Sequence, residues 1–496
     1  VAGAGIFAAP AMVRSASAQI HRTPISGMGG GMTGGLAARP LAAAGLPLKP
    51  LAILPSASGL PNEFRASLVA APFRAALVAG ASTELWGYNG MAPGPIIELR
   101  EGQRATIEFI NGLALESTVH WHGLAVPPDQ DGNPMDPVAP GARRTYSFDV
   151  PPGSAGTYWY HPHAHQLATT EVAHGLAAPL IVRAADDALE GMPEVTLMVT
   201  SIALDAYGQV TPGTSVMRPM SGTSTTFGGG NLLVNGQSVP VHTVPPGTSE
   251  RWRIINATAD RYLRLAIDGH RFAVVGTDGG LLGEPLVGQV ECLLAPAQRV
   301  EIVLTASSQK SARFALRDLG YPNDGMSRVG GELLTVRTTT DAVTPPVQLP
   351  SALRPIADLG VATVRQRIVL STGGMGMGMS MGAMGQFLIN GKSFAMDRVD
   401  VQTVVGRVEL WDFINTTMMD HPMHIHGTQF QVLGQTIAGV TTPADYLAWR
   451  DTVNVPAGTT VTIKTRQTMP GRRMFHCHLL PHEDAGMMAV LGVSPA

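Results

Sequence analysis

Ile389–His426 reads INGKSFAMDRVDVQTVVGRVELWDFINTTMMDHPMHIH. The stretch opens on an Asn-Gly turn, Asn390-Gly391, passes through an extended run, and closes it on Phe413-Ile414-Asn415. Asn-Gly between alternating runs is a hairpin sign, because both residues tolerate a positive φ. The same frame stands twice more in the chain. Tyr88-Asn89-Gly90 leads to Phe109-Ile110-Asn111, and Val234-Asn235-Gly236 leads to Ile254-Ile255-Asn256. Three copies of a sandwich-sized unit predict three similar β-domains in series, divided near 185 and 350. The alternative is chance recurrence of a short motif. Asp341–Pro350, with Pro345, Pro346 and Pro350, reads as the second linker.

Composition agrees with an all-β chain. Its 496 residues exceed what one domain needs. The 57 glycines and 38 prolines make up about a fifth of the chain, well above average usage. Only 14% of residues are charged and the net charge is −3. No basic surplus exists to hold a phosphate backbone, which argues against a nucleic-acid partner. No run reaches the roughly 20 apolar residues of a membrane span. Val1–Val13 is apolar and leads into Ala16-Ser17-Ala18, an A-x-A cleavage pattern. Residues 1–18 are therefore expected to be the remnant of a secretory signal, and the protein to be periplasmic or secreted. The alternative is a short buried N-terminal segment. Residues 19–50, with the Gly27–Gly35 tract of Gly and Met, are expected to form a flexible leader. The three domains then span 51–185, 186–345 and 351–496.

Eleven of the 15 histidines fall in four clusters: His120-Trp121-His122, His161-Pro162-His163-Ala164-His165, His421-Pro422-Met423-His424-Ile425-His426, and His476-Cys477-His478 with His482. Each cluster holds an H-x-H pair. On a strand, alternate residues share a face, so each pair aims two imidazoles the same way. Imidazole suits Cu, Zn, Fe and Ni. One such pair is commonly chance; four are not. His120 and His424 each lie nine residues after the repeat asparagine, so domains one and three carry equivalent pairs. The same offset in domain two gives Leu265 and Ile267, a frame without ligands. Eight imidazoles are thus expected between domains one and three, with His165 left out.

Cys477, between His476 and His478, points to the opposite face of a strand. His482 follows by five residues and Met487 by ten, and His421 is the best second imidazole. One thiolate, two imidazoles and a distant thioether are the ligand set of a blue-copper electron-transfer site. Cys292, in an apolar run, reads instead as an inert thiol, and two cysteines form no disulfide framework.

At these residues the chain resembles the multicopper oxidases, from about residue 70 to the end. The resemblance implies three consecutive cupredoxin-like Greek-key β-sandwich domains and four copper ions. It implies a type 1 copper on His421, Cys477, His482 and axial Met487. It further implies a type 2 copper on His120 and His424, and a type 3 pair on His122, His161, His163, His426, His476 and His478. It also places proton-relay acids at Asp131 and Glu483, which as plain sequence are equally a turn residue and a solvated one. O2 reduction to water consumes four protons, so acids near the site have a task.

Met375, Met377, Met379, Met381 and Met384 fall within Gly373–Gly385. Alternating Gly and Met has no helical period and builds no tight core, whereas thioethers select Cu(I). The copper-efflux oxidases within this family carry a longer Met-rich insert at this place. Met418 and Met419 match a substrate-copper region of that subfamily, but Thr417 stands where it has an acid. The expected function is an exported oxidase that takes four single electrons and reduces O2 to water, with Cu(I) as donor in copper tolerance. A laccase-type oxidase of phenols is the alternative, and a non-catalytic copper-binding or scaffold protein the alternative from another class.

Overall fold

The computed structural model describes residues 41, 44–211, 230–322, 330–373 and 386–496. The chain is all-β, three consecutive cupredoxin-like sandwiches, each of two sheets packed around one apolar core. Their strands lie within 63–183, 194–338 and 364–494. The first domain has two four-stranded sheets; the second and third each have a six-stranded and a five-stranded sheet. In every domain the first strand runs parallel to the strand that ends on the repeat asparagine: Glu63–Val78 with Arg104–Asn111, Glu194–Ile202 with Ser249–Asn256, and Val364–Thr372 with Val408–Asn415. Alternation supplies the inner faces. In Arg104–Asn111, Ala105, Ile107, Phe109 and Asn111 are buried and their neighbours less so. Each fully buried Phe or Ile of this kind contributes roughly 1.5–3 kcal/mol.

The repeat does the same structural job three times. Asn89, Asn235 and Asn390 have φ of 51°, 51° and 52°, followed by glycines at 73°, 76° and 73°. That pair of positive φ values is what a tight hairpin turn demands. The three side-chain oxygens accept from the backbone N–H of Val69, Met198 and Val369 at 2.7–2.8 Å. At the far end of the repeat, Asn111, Asn256 and Asn415 each donate Nδ2 to two carbonyls. The pairs are Leu115 and Val138, Arg261 and Leu294, and Met419 and Val455. These buried amides fix the loops that lead into the histidine strands of domains one and three.

The leader reading is corrected at its end. Leu48 N–H donates to Val241 O at 2.8 Å, Val241 N–H to Leu46 O at 2.8 Å, and Lys49 N–H to the Gln237 side chain at 2.7 Å. Residues 44–50 are thus paired along domain two, with Leu48 against its core. Their backbone groups find partners that the Gly/Met tract offered no sign of. Residues 1–40 lie outside the described residues. Among the described residues no helix is long and apolar enough to cross a membrane.

Candidate metal centre

Domains one and three build the same local frame. In domain one the strand His120–His122 pairs with Gly156–His161, setting His120 opposite His161. In domain three His421–Ile425 pairs with Gly471–Cys477, setting His424 opposite His476. Only His120 and His122 lie wholly within a strand. In the other three pairs the second member, His163, His426 or His478, falls just past the strand end. In the first of these Pro162 has no N–H to continue the ladder, and Gly427 turns at φ +58° directly after His426.

All eight imidazoles are buried and converge from the two domains. They form one continuous cluster, in which the His120–His426 and His122–His424 rings stack at 3.8 Å. His120 Nε2 lies 3.4 Å from His424 Nε2. His163 Nε2 and His426 Nε2 each lie 3.1 Å from His476 Nε2. The rings of His122, His161 and His478 stand with centroids 5.6, 4.8 and 5.3 Å apart. Nitrogens at about 2.0 Å from a tetrahedral ion lie about 3.3 Å apart, so like nitrogens meeting at these distances suit a shared metal. His122 Nδ1, His161 Nε2 and both nitrogens of His478 have no protein partner although buried. Buried polar atoms are normally partnered, and a metal satisfies them. Burial holds His122, His161, His424, His426 and His478 well below the usual histidine range and brings His163 and His476 to about 3. They are therefore neutral, as ligands must be. His165 stands apart, against Phe394.

A second cluster forms on the other face of the strand Gly471–Cys477. Cys477 Sγ lies 3.5 Å from His421 Nδ1 and 3.7 Å from His482 Nδ1, and the two nitrogens are 3.2 Å apart. Met487 is buried in the same apolar cluster, and its carbonyl accepts the Cys477 N–H at 3.0 Å. Burial pushes the Cys477 thiol well up; a bound cation reverses that, since a coordinating thiol is deprotonated outright. Thr417 Oγ lies 2.8 Å from His421 Nε2, so the ring's second nitrogen is held and Nδ1 is left facing the sulfur. Phe387 stacks on His482 at 3.8 Å.

The two acids each bridge the domains. Asp131 follows the short 3-10 turn Pro128–Gln130 and is fully buried. Its oxygens lie 3.2 Å from His120 Nδ1 and 3.3 Å from His426 Nδ1. Glu483, in the short helix Leu480–Asp484, lies 3.4 Å from His163 Nδ1 and 3.1 Å from His476 Nδ1. Burial raises both carboxyls, against the pull of the histidines beside them. Asp131 does sit at the turn its local sequence also allowed, while Glu483 is buried and not the solvated residue its sequence also allowed.

The five methionines of Gly373–Gly385 lie outside the described residues. The segment's flanks are described: Gly373 N–H donates to Gln386 O at 2.9 Å, and Phe387 follows. Met419 is half-buried and Met418 is 91% exposed. Cys292 is half-buried on the edge of domain two, its thiol raised to about 12 by burial. The motifs missed Asp451, whose carboxylate lies 3.2 Å from His122 Nε2 and whose carbonyl accepts from His424 Nδ1 at 2.8 Å. They also missed Trp159, stacked on His161 at 4.2 Å. The sequence around Asp451 held no sign of this role.

Fold and site together define a copper oxidase built on three cupredoxin units. Models of the multicopper oxidase family match residues 73–187, 198–332 and 369–496. The multicopper oxidase mco of Staphylococcus aureus is 30% identical over 426 residues, covering 82% of this chain and 83% of that protein. A laccase of Bacillus subtilis is 27% identical, covering 83% and 90%. A solved structure from Campylobacter jejuni, described as a multicopper oxidase and metallo-oxidase, superposes with a TM-score of 0.83 at 37% identity, covering 91% of this chain and 96% of that one. The chain belongs to the multicopper oxidase family. It is an oxidoreductase that passes electrons from a donor to O2, which sets aside the non-catalytic alternative.

Proposed function

We propose that this oxidase takes electrons from Cu(I) at the Cys477 site and uses them at the histidine cluster to reduce O2 to water. In this reading His421, Cys477, His482 and Met487 hold type 1 copper, and His120 and His424 hold type 2 copper. His122, His161 and His478 hold one type 3 ion, and His163, His426 and His476 the other. The observation that supports the assignment is the convergence of eight buried imidazoles from two domains, with Nε2 atoms meeting at 3.1–3.4 Å. When bound, copper supplies one-electron acceptance at the first site and electron delivery to O2 at the second. The protein supplies the rest. Asp131 and Glu483 keep protons to higher pH than ordinary carboxyls and stand against the cluster histidines, where protons are consumed.

Cu(I) as donor is supported by soft thioethers that stand in sequence beside the entry-site residues. Met418 is exposed three residues before His421, and the Met-rich segment joins the described chain at Gln386, next to the Phe387 that stacks on His482. The metallo-oxidase description of the Campylobacter jejuni protein points the same way. One observation favours the phenol-oxidase reading. Asp420, the acid next to Met419 in sequence, is committed to Tyr321 and Asn454 at 2.7 and 3.0 Å, and Thr417 to His421, so neither neighbour in sequence is left to take a cation. Export to the periplasm or beyond, resting on the A-x-A pattern, belongs to the same proposal. The test is one copper-loaded sample assayed for O2 consumption with Cu(I) and with a simple phenol. A higher kcat/KM for Cu(I) is expected; the reverse makes the protein a laccase.

A further inference from the structure

Domain two supplies none of the histidine ligands, yet one of its side chains grips the carboxylate that stands against the cluster. Arg299, at the start of the strand Arg299–Thr305, is 1% exposed. Its five N–H donors are all used. Nη1 donates to Asp451 Oδ1 at 2.8 Å and to Ala297 O at 3.1 Å. Nη2 donates to Asp451 Oδ2 at 2.5 Å and to Asp278 O at 2.9 Å. Nε donates to Thr157 O, in domain one, at 2.8 Å. A single guanidinium therefore ties all three domains together, in the two-pronged geometry that Lys cannot reproduce.

Asp451 carries this tie to the histidines. Oδ1 lies 3.2 Å from His122 Nε2, and Thr452 Oγ donates to the same oxygen at 2.9 Å. The Asp451 carbonyl accepts from His424 Nδ1. One residue thus places the proton of His122 on Nε2 and that of His424 on Nδ1. The opposite nitrogens, His122 Nδ1 and His424 Nε2, face the cluster with lone pairs. Space confirms how tightly the pair is built in. A Cβ on Gly123, the residue after His122, would lie 2.1 Å from Asp451 Oδ2 and 2.8 Å from Arg299 Nη2, and Gly123 has φ +87°.

We propose that Arg299 is a positioning residue for the cluster: it clamps Asp451, which sets opposite tautomers on His122 and His424. The proposal rests on the reading that these histidines hold copper. Loss of an outer partner of a metal-bound histidine costs about 10–100-fold in metal affinity. Arg299→Met is expected to weaken cluster copper binding by about that factor and to diminish the type 2 EPR signal, while the blue absorption of the Cys477 site stays. Arg299→Lys, which keeps the charge but not the fork, should recover part of the signal. If Arg299→Met does not fold, the pair Arg299→Met/Asp451→Asn is measured instead, since removing both partners avoids an unpaired buried charge. It should show the same selective loss. Full cluster occupancy with an unchanged type 2 spectrum, in whichever variant folds, overturns the proposal. A wild-type protein that is blue but takes up no cluster copper would overturn the ligand reading instead, leaving the clamp as a tie between domains.

Discussion

Cys477 and His476 are neighbours in one strand and face opposite ways. The sulfur lies 3.5 Å from His421 Nδ1, while His476 Nε2 lies 3.1 Å from those of His163 and His426. His476 Nδ1 also donates to the Cys477 carbonyl at 3.1 Å. The two candidate sites are thus joined by one peptide unit and a hydrogen bond across it. Under the proposed function, an electron arriving at the sulfur has a covalent route to the cluster through this peptide unit.

Replacing Cys477 with Ser tests the entry site. A hydroxyl is a poor substitute for a soft thiolate, so the blue charge-transfer absorption should vanish while cluster copper largely remains. Visible absorption and copper analysis on one preparation decide it. A variant that stays blue removes the type 1 assignment.

Glu483→Gln and Asp131→Asn keep shape and remove the acid. Each should slow reoxidation by O2 more than reduction of the entry site, by the 10²–10⁴-fold range typical of a lost general acid. Stopped-flow measurement of the two half-reactions separates them. Equal rates in both, relative to wild type, would leave the acids as supports for the histidine rings.

The copper-free protein should be acid-labile in a defined window. Burial depresses His163, His421 and His476 to about 3, against an ordinary value of 6.5. The folded state keeps these rings neutral while the unfolded chain binds protons. Stability from this source is therefore full above about 6.5 and is lost as pH falls from there towards 3. Each such ring costs about 1.4 kcal/mol per pH unit across that interval. Tm should drop steeply below neutral pH; a flat profile between pH 7 and 5 would mean that the rings are reached by water.

Leucine at Met375, Met377, Met379, Met381 and Met384 should impair Cu(I) oxidation and spare or raise phenol oxidation. Leucine keeps bulk and apolarity, so the swap separates ligation from packing. Unchanged Cu(I) turnover at low copper would reduce the segment to a cover and favour the laccase reading.

The fold was legible because its determinants are local. Asn390-Gly391 specifies its own turn, and Asn415 specifies the loop after its strand, so a period in sequence reports a period in space. The H-x-H pairs were legible for the same reason, and their convergence follows once two domains face each other. Arg299 and Asp451 were not. They lie 152 positions apart, and neither stands in a motif. Their meaning arises only where three domains touch. The end of the leader misled for a related reason, since residues 44–50 borrow their order from Gln237 and Val241, far along the chain.

Asp131 and Glu483 each span a histidine from the first domain and one from the third. The cluster is consequently a joint between the first and third sandwiches. Either sandwich alone holds four of the eight imidazoles, and there each acid keeps one of its two histidine partners. Parting the two sandwiches would thus cost the site half its ring nitrogens and the bridging role of both acids in a single step.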